Sequence, residues 1–292
     1  MFKFSNLSYD AQRRVIIILF SLVPVALLIT FAYLPVANMF YYSFTDWNGF
    51  SDKELVGLEN YVTIFTDPEY FVVFKVSLYY FVATFVQMGV ALYFATILSF
   101  NVRMKNFFKG VLFFPYLLNG VAIGFMFLFF FRPEGTLDTV LNAIGLTGLI
   151  TQWLGNPDII NISLAGTSVW RYMGFNFIIF LGAISSIPKE VYEAAEIDGA
   201  NRWHQFRYII LPSIRRIIEL NLILAISGAL SAFEIPYIMT GGSNGSKTFV
   251  IQTVDIAFKY GKVGLGSAMA VVLLFIVIIV TVLQKVIFKE RG

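Results

Sequence analysis

The 292-residue sequence predicts an all-α integral membrane protein with six transmembrane helices and a cytoplasmic helical hairpin between helices four and five. Three observations predict it. Hydrophobic residues make up 58% of the chain and charged residues 13%, about half the roughly 25% charge of a soluble domain. Six apolar segments are long enough to cross about 30 Å of hydrocarbon at 1.5 Å per residue. Lys and Arg collect in alternate connections, as the positive-inside rule requires of a multi-span protein.

The first segment, near Val15–Phe44, follows Arg13 and Arg14. It is too long for a signal-peptide core and no small-x-small site follows, so it is expected to stay attached. Pro24 and Pro35 inside it predict a kinked or broken helix. The connection from Thr45 to Phe74 is rich in Asp and Glu and carries Asn48-Gly49, a turn signal, so a folded external segment is expected. Further spans are placed near Val76–Phe100, Val111–Phe131, Ile159–Ile184, Ile217–Thr240 and Ser267–Ile287. The fourth is interrupted by Asn161, Ser163, Thr167, Arg171 and Asn176. Polar groups in a span face protein or water rather than lipid. With no internal repeat or soluble segment, residues 1–292 read as one membrane domain.

Orientation follows from the basic residues. The N-terminal tail, the second and fourth connections and the C-terminus together hold fourteen Lys and Arg, the opposite connections six, and Arg171 lies inside a span. Both termini are therefore expected in the cytoplasm. Absence of cysteine excludes disulfides and thiol chemistry, and the single histidine, His204, cannot build a metal cluster, so no metal site is expected. A net charge of +3 distributed over loops gives no support for nucleic-acid binding.

The connection between spans four and five carries the chemistry. Pro188 suits the first turn of a helix and Glu190 complements the positive end of its dipole. The helix runs to Gly199, which is free to take the left-handed conformation that ends it. Val191, Ala194, Ala195 and Asp198 share one face at i, i+3, i+4 and i+7, so small side chains leave room for another surface to approach. A second amphipathic stretch, Trp203 to Ile210, is expected to end at Leu211-Pro212, where proline breaks the helix before span five.

Glu193-Ala194-Ala195, Gly199, and then Ile209, Leu211 and Pro212 at their spacing resemble the EAA signature of binding-protein-dependent ABC permeases, in particular carbohydrate-uptake permeases of the maltose and glycerol-3-phosphate type. Gly57-Leu58-Glu59-Asn60-Tyr61, Pro115, Trp170 with Gly174-Phe175, and Thr240-Gly241-Gly242 also match, so the resemblance covers about residues 57–288. It implies that helix 15–44 packs outside a family-like core, in a bacterial inner-membrane protein. It further implies that the hairpin is a coupling helix docked on a cytoplasmic ATPase. Glu193 would ion-pair with that ATPase, Ala194 and Ala195 would make the close contact, and Gly199 the turn, with Asp198 beside it. The implied assembly adds a second homologous permease in a heterodimer, two copies of the ATPase and an extracytoplasmic sugar-binding protein. This chain would bind no cofactor itself, ATP and Mg belonging to the ATPase.

By the same resemblance, Trp170, Met173, Gly174, Asn176 and Phe177 of span four and Gly228, Ala229 and Ala232 of span five line the sugar path. Ala229 and Ala232 are small and apolar where amides would bind hydroxyls, which shifts the expected sugar contacts toward the partner permease. Few basic residues lie in the spans, so the expected cargo is a neutral or weakly charged carbohydrate. Gly241 to Thr248 approximates a phosphate-binding loop, but Ser246 replaces the second Gly and the segment follows a membrane span on the outer side; nucleotide binding is not expected there. Arg171 and Glu234 are expected to pair. An ion-coupled secondary sugar transporter is the alternative function, and it would call for inverted repeats with matching broken helices, which the sequence lacks.

Overall fold

The computed structural model describes residues 8–100 and 102–288. They fall into two units: Met1–Thr66 with Thr253–Leu274, and Asp67–Gln252 with Phe275–Gly292. The tail residues Lys3, Lys289 and Arg291 used in the charge count lie outside the described residues.

In the first unit, α1 (Tyr9–Leu28), a π turn (Ile29–Tyr33) and α2 (Leu34–Tyr42) form one continuous helix. The expected break at Pro35 is absent. Leu34 N–H donates to the Ile29 carbonyl five residues back, and this wider turn accommodates the proline that follows. No residue in the apolar window of this helix is buried. Next comes the folded segment anticipated from its turn signal. Strands β1 (Thr45–Asp46) and β2 (Glu54–Leu55) pair antiparallel. Between them the Asn48 side-chain oxygen accepts the N–H groups of Phe50 at 2.9 Å and Ser51 at 2.8 Å. On α3 (Glu59–Thr66), the Asn60 amide donates to the carbonyls of Ser43 at 3.0 Å and Thr45 at 2.9 Å. Tyr61 meets the Ser43 hydroxyl at 2.7 Å. The Asn60-Tyr61 pair that resembles the family thus knots the end of the first helix to its loop.

The second unit continues with α4 (Glu69–Val72), α5 (Phe74–Ser99), α6 (Lys105–Leu117), α7 (Gly120–Phe131), α8 (Thr136–Ala143), α9 (Ile160–Ser185), α10 (Lys189–Ile197), α11 (Arg202–Gln205), α12 (Leu211–Leu230), α13 (Glu234–Thr240) and the start of α14 (Phe249–Val254). A π turn (Asp255–Lys259) leads into α15 (Val263–Phe288). Within the first unit, the Gly264 N–H on α15 donates to the Trp47 carbonyl at 2.9 Å, and a Cβ on Gly264 would overlap the Thr45 carbonyl oxygen.

Among the described residues four helices are long and apolar enough to cross a membrane, or five if the α6–α7 pair is one span. The segment expected as a single third span is that pair, bent by 96°. Leu118 and Asn119 are extended there, and Asn119 restarts the helix by accepting the Val121 N–H at 2.8 Å. Helix α9 has the length of a span, 26 residues, but its polar residues are turned into protein: Asn161, Ser163, Thr167, Ser168 and Asn176 are buried. It packs along α5 and against α6 and α12. The core at its C-terminal half joins Met88, Ala91, Ala95 and Leu98 of α5 to Phe177, Phe180, Leu181 and Ile184, with Ile210 and Ile214. At its other half, Val76 and Tyr80 meet Ile160, Leu164, Ala229, Ile235 and Met239.

Candidate functional site

Two places in the second unit gather the functional side chains. The first is the hairpin. Helix α10 starts at Pro188 as its N-cap and carries Glu190 in its first turn. It ends as the sequence anticipates: Gly199 is left-handed at φ +80°, its N–H bonds the Glu196 carbonyl at 3.1 Å, and Ala200 N–H bonds the Ala195 carbonyl at 2.8 Å. That pair of bonds is the Schellman closure of a helix C-terminus. Asn201 then caps α11 by accepting the His204 N–H at 2.9 Å.

The two arms are held to each other. Glu196 accepts from Arg202 at 3.2 Å and from Gln205 at 3.3 Å, and Arg202 donates to Gln205 at 2.9 Å. The Arg202 guanidinium also lies 4.3 Å from the centre of the Phe100 ring. Glu193, Ala194 and Asp198 stay exposed and Ala195 is half-buried. Ile197 is 87% exposed and Trp203 65%, a large apolar area for a short hairpin. Among the described residues Glu193 takes part in none of the ion pairs.

Helix α11 does not end at Pro212. A π turn, Phe206–Ile210, joins it to α12, with Leu211 N–H bonded to the Phe206 carbonyl. The expected break is thus a widened turn, for the same reason as at Pro35. Ile209 and Leu211 are half-buried and Pro212 exposed. Hairpin and span form one lever.

The second place is a cavity of about 440 Å³ bounded by α5, α6, α9, α12 and the break between α12 and α13. Of the residues expected on the path, Asn176, Gly228, Ala229 and Ala232 line it. The others lie outside its lining: Trp170 packs edge-on to Phe127 at 5.2 Å, Met173 and Phe177 belong to the core, and Gly174 lies so close to α6 that a Cβ would overlap the Leu112 carbonyl.

Tyr80, Gln87, Tyr116, Tyr172, Phe175 and Asn221 also line the cavity, and sequence reasoning missed them. The signal was present for Gln87 and Asn221, amides in the middle of apolar spans. They supply the amides that Ala229 and Ala232 lack. Both polar atoms of Asn221, the Asn176 nitrogen and the Tyr80 hydroxyl are buried without a hydrogen-bond partner. Buried polar atoms are paired in the great majority of cases, so such a group of unpaired ones around a cavity marks a place for a polar ligand or water.

Arg171 and Glu234 do pair, at 2.6 Å. The near-miss phosphate loop is a structural connector: Thr240 and Ser246 bond through their hydroxyls at 2.6 Å, Asn161 donates to the Gly245 carbonyl at 3.0 Å, and Asn244 to the Leu154 carbonyl at 3.0 Å.

Comparison with known proteins agrees with this geometry. The family of binding-protein-dependent transport system inner membrane components matches residues 87–291. The chain belongs to this family. It is 33% identical over 285 residues to the probable ABC transporter permease protein YurN of Bacillus subtilis, covering 95% of this chain and 97% of that protein. It is 31% identical over 275 residues to the multiple sugar-binding transport system permease protein MsmF of Streptococcus mutans, covering 93% and 94%. The fold is shared with a chain of a bacterial ABC transporter involved in import of the acidic polysaccharide alginate, at a TM-score of 0.84 and 18% identity over 97% of this chain and 98% of that one. The protein is thus a multi-pass membrane permease of an ABC transport system, a transport subunit and not an enzyme, and the ion-coupled alternative falls.

Proposed function

We propose that this permease forms half of the translocation path of an ATP-driven sugar importer, and that its own cavity takes part in holding the sugar. The observation that carries the reading is the set of unpaired buried groups on Tyr80, Asn176 and Asn221 around a cavity walled by Tyr116, Tyr172, Phe175 and Phe233. Sugars present hydroxyls to amides and C–H faces to aromatic rings. Relatives named for multiple sugars and for starch degradation products support the cargo class. Arg171 is already neutralised by Glu234, which favours a neutral or weakly charged carbohydrate.

The exposed face of α10, with Glu193 unspent and Ala194 and Ala195 small, is the docking surface for a separate ATPase, which binds ATP and Mg. Closure of two such ATPase copies would drive the lever between inward- and outward-facing states. A second homologous permease completes the path, and an extracytoplasmic binding protein delivers the sugar. Both termini face the cytoplasm of a bacterial cell.

The test is binding of neutral oligosaccharides to the purified assembled transporter, before and after Asn221→Leu. Loss of binding in the variant is expected; unchanged binding places the sugar elsewhere. Orientation is tested by single cysteines labelled from outside intact cells. Sites at Ser51 and Ser243 should react and a site at Asn106 should not.

A further inference from the structure

Glu234 is the one lining residue of the cavity whose side chain is a full charge, and its surroundings are built for an anion. Behind it, Arg171 is 12% exposed and reaches its carboxylate at 2.6 Å, while Glu234 itself is 40% exposed. In front, α7 begins: a Cβ on Gly120 would fall on the Glu234 carboxylate, so the first residue of this twelve-residue helix leaves the space the carboxylate fills. The N-terminus of a helix carries about half a positive charge. Arg171 Nε has no hydrogen-bond partner, and its guanidinium stands 5.0 Å from the ring centre of Tyr172, a cavity wall residue. Two positive features therefore meet across a single carboxylate, one side-chain layer from the cargo space.

We propose that Glu234 is a specificity determinant: its carboxylate occupies an anion pocket formed by Arg171 and the start of α7, and so closes the cavity to sugars bearing a carboxylate or sulfonate. A uronate or sulfonated sugar would otherwise place its own anion there. With Glu234 in place it meets like charge at the wall and finds the cation already taken, whereas a neutral sugar loses nothing. This inference rests on the reading of the cavity as a sugar site.

The test uses the assembled transporter without its binding protein, so that selection by that protein does not enter. Affinities for maltotriose and trigalacturonate, neutral and acidic probes of equal length, are measured for wild type, Glu234→Gln and the double variant Glu234→Gln/Arg171→Gln. In Glu234→Gln, which keeps the side-chain shape, the trigalacturonate-to-maltotriose affinity ratio should rise about tenfold or more, the size of a released close charge pair. It should fall back in the double variant. An unchanged ratio, or a rise that survives removal of Arg171, overturns the proposal. Failure of the underlying reading looks different: maltotriose then does not bind wild type, or binds Asn221→Leu equally well, and this inference falls with it.

Discussion

The hairpin and the cavity spend their polar groups in opposite ways. On the hairpin, Glu196, Arg202, Gln205 and Asn201 bond one another or the backbone, and what is left outward is small or apolar, with Glu193 as a free charge. Around the cavity the bonds are left unmade: Asn221 uses neither of its polar atoms, and the surroundings are buried. A surface that has finished its internal bonding is rigid and ready for another protein. A pocket of unfinished bonds suits a ligand that arrives hydrated and must exchange water for protein. If that contrast is right, variants at the two places should fail by different routes.

The largest effect is expected at the hairpin. Ala195→Trp would overfill the contact with the ATPase at a cost of about 1–3 kcal/mol, and Glu193→Lys would turn an attraction into repulsion at a cost of several kcal/mol, about 2–5. Combined, they should abolish sugar uptake and sugar-stimulated ATP hydrolysis while sugar binding to the purified transporter persists. Uptake within about twofold of wild type would show that α10 does not transmit the ATPase's motion.

Asn221→Leu should do the reverse. Uptake and sugar binding should fall by about tenfold or more, yet stability should hold or rise by up to about 2 kcal/mol, because an unpaired buried amide is removed. Thermal unfolding in detergent measures the second quantity, and a marked loss of stability would show that Asn221 is structural.

Two glycines sharpen the contrast further. Gly199 has open space around it but a φ of +80°, whereas Gly120 lacks the space for a Cβ. Gly199→Val should therefore cost about 1–2 kcal/mol through the backbone and Gly199→Asn much less, since Asn tolerates that conformation. At Gly120 even Ala should displace Glu234 and cost about 1–3 kcal/mol, with no rescue by Asn. The smallest effect belongs to the exposed His204, where Ala should leave uptake within about twofold.

These differences track what the sequence made legible. The hairpin is contiguous, so Pro188, Ala194, Ala195 and Gly199 could be placed from spacing alone. The cavity is assembled from α5, α6, α9 and α12, and no local pattern says that Tyr80 and Asn221 meet. Helix breaks were misjudged for a related reason. Proline was taken as the breaker at Pro35 and Pro212, yet a π turn absorbs each. The real discontinuities, at Leu118–Asn119 and Ser231–Phe233, contain no proline. They lie where Asn119 provides a new cap and where α13 begins with Glu234, and both depend on tertiary partners. The polar residues of span four were read correctly as facing protein, because lipid allows nothing else.

The π turn at Phe206–Ile210 carries one residue more than an α-helical turn needs, and each residue advances a helix by about 100°. Everything beyond it, including Asn221 and Gly228, is therefore phased against the hairpin by that extra residue. Deleting Tyr208 would change no group in the cavity and none on the face of α10, yet it would swing Asn221 by roughly a quarter turn relative to the hairpin. Chain length at this point is thus an angular setting, and a shortened permease should keep every named side chain while aiming the wrong ones at the cargo.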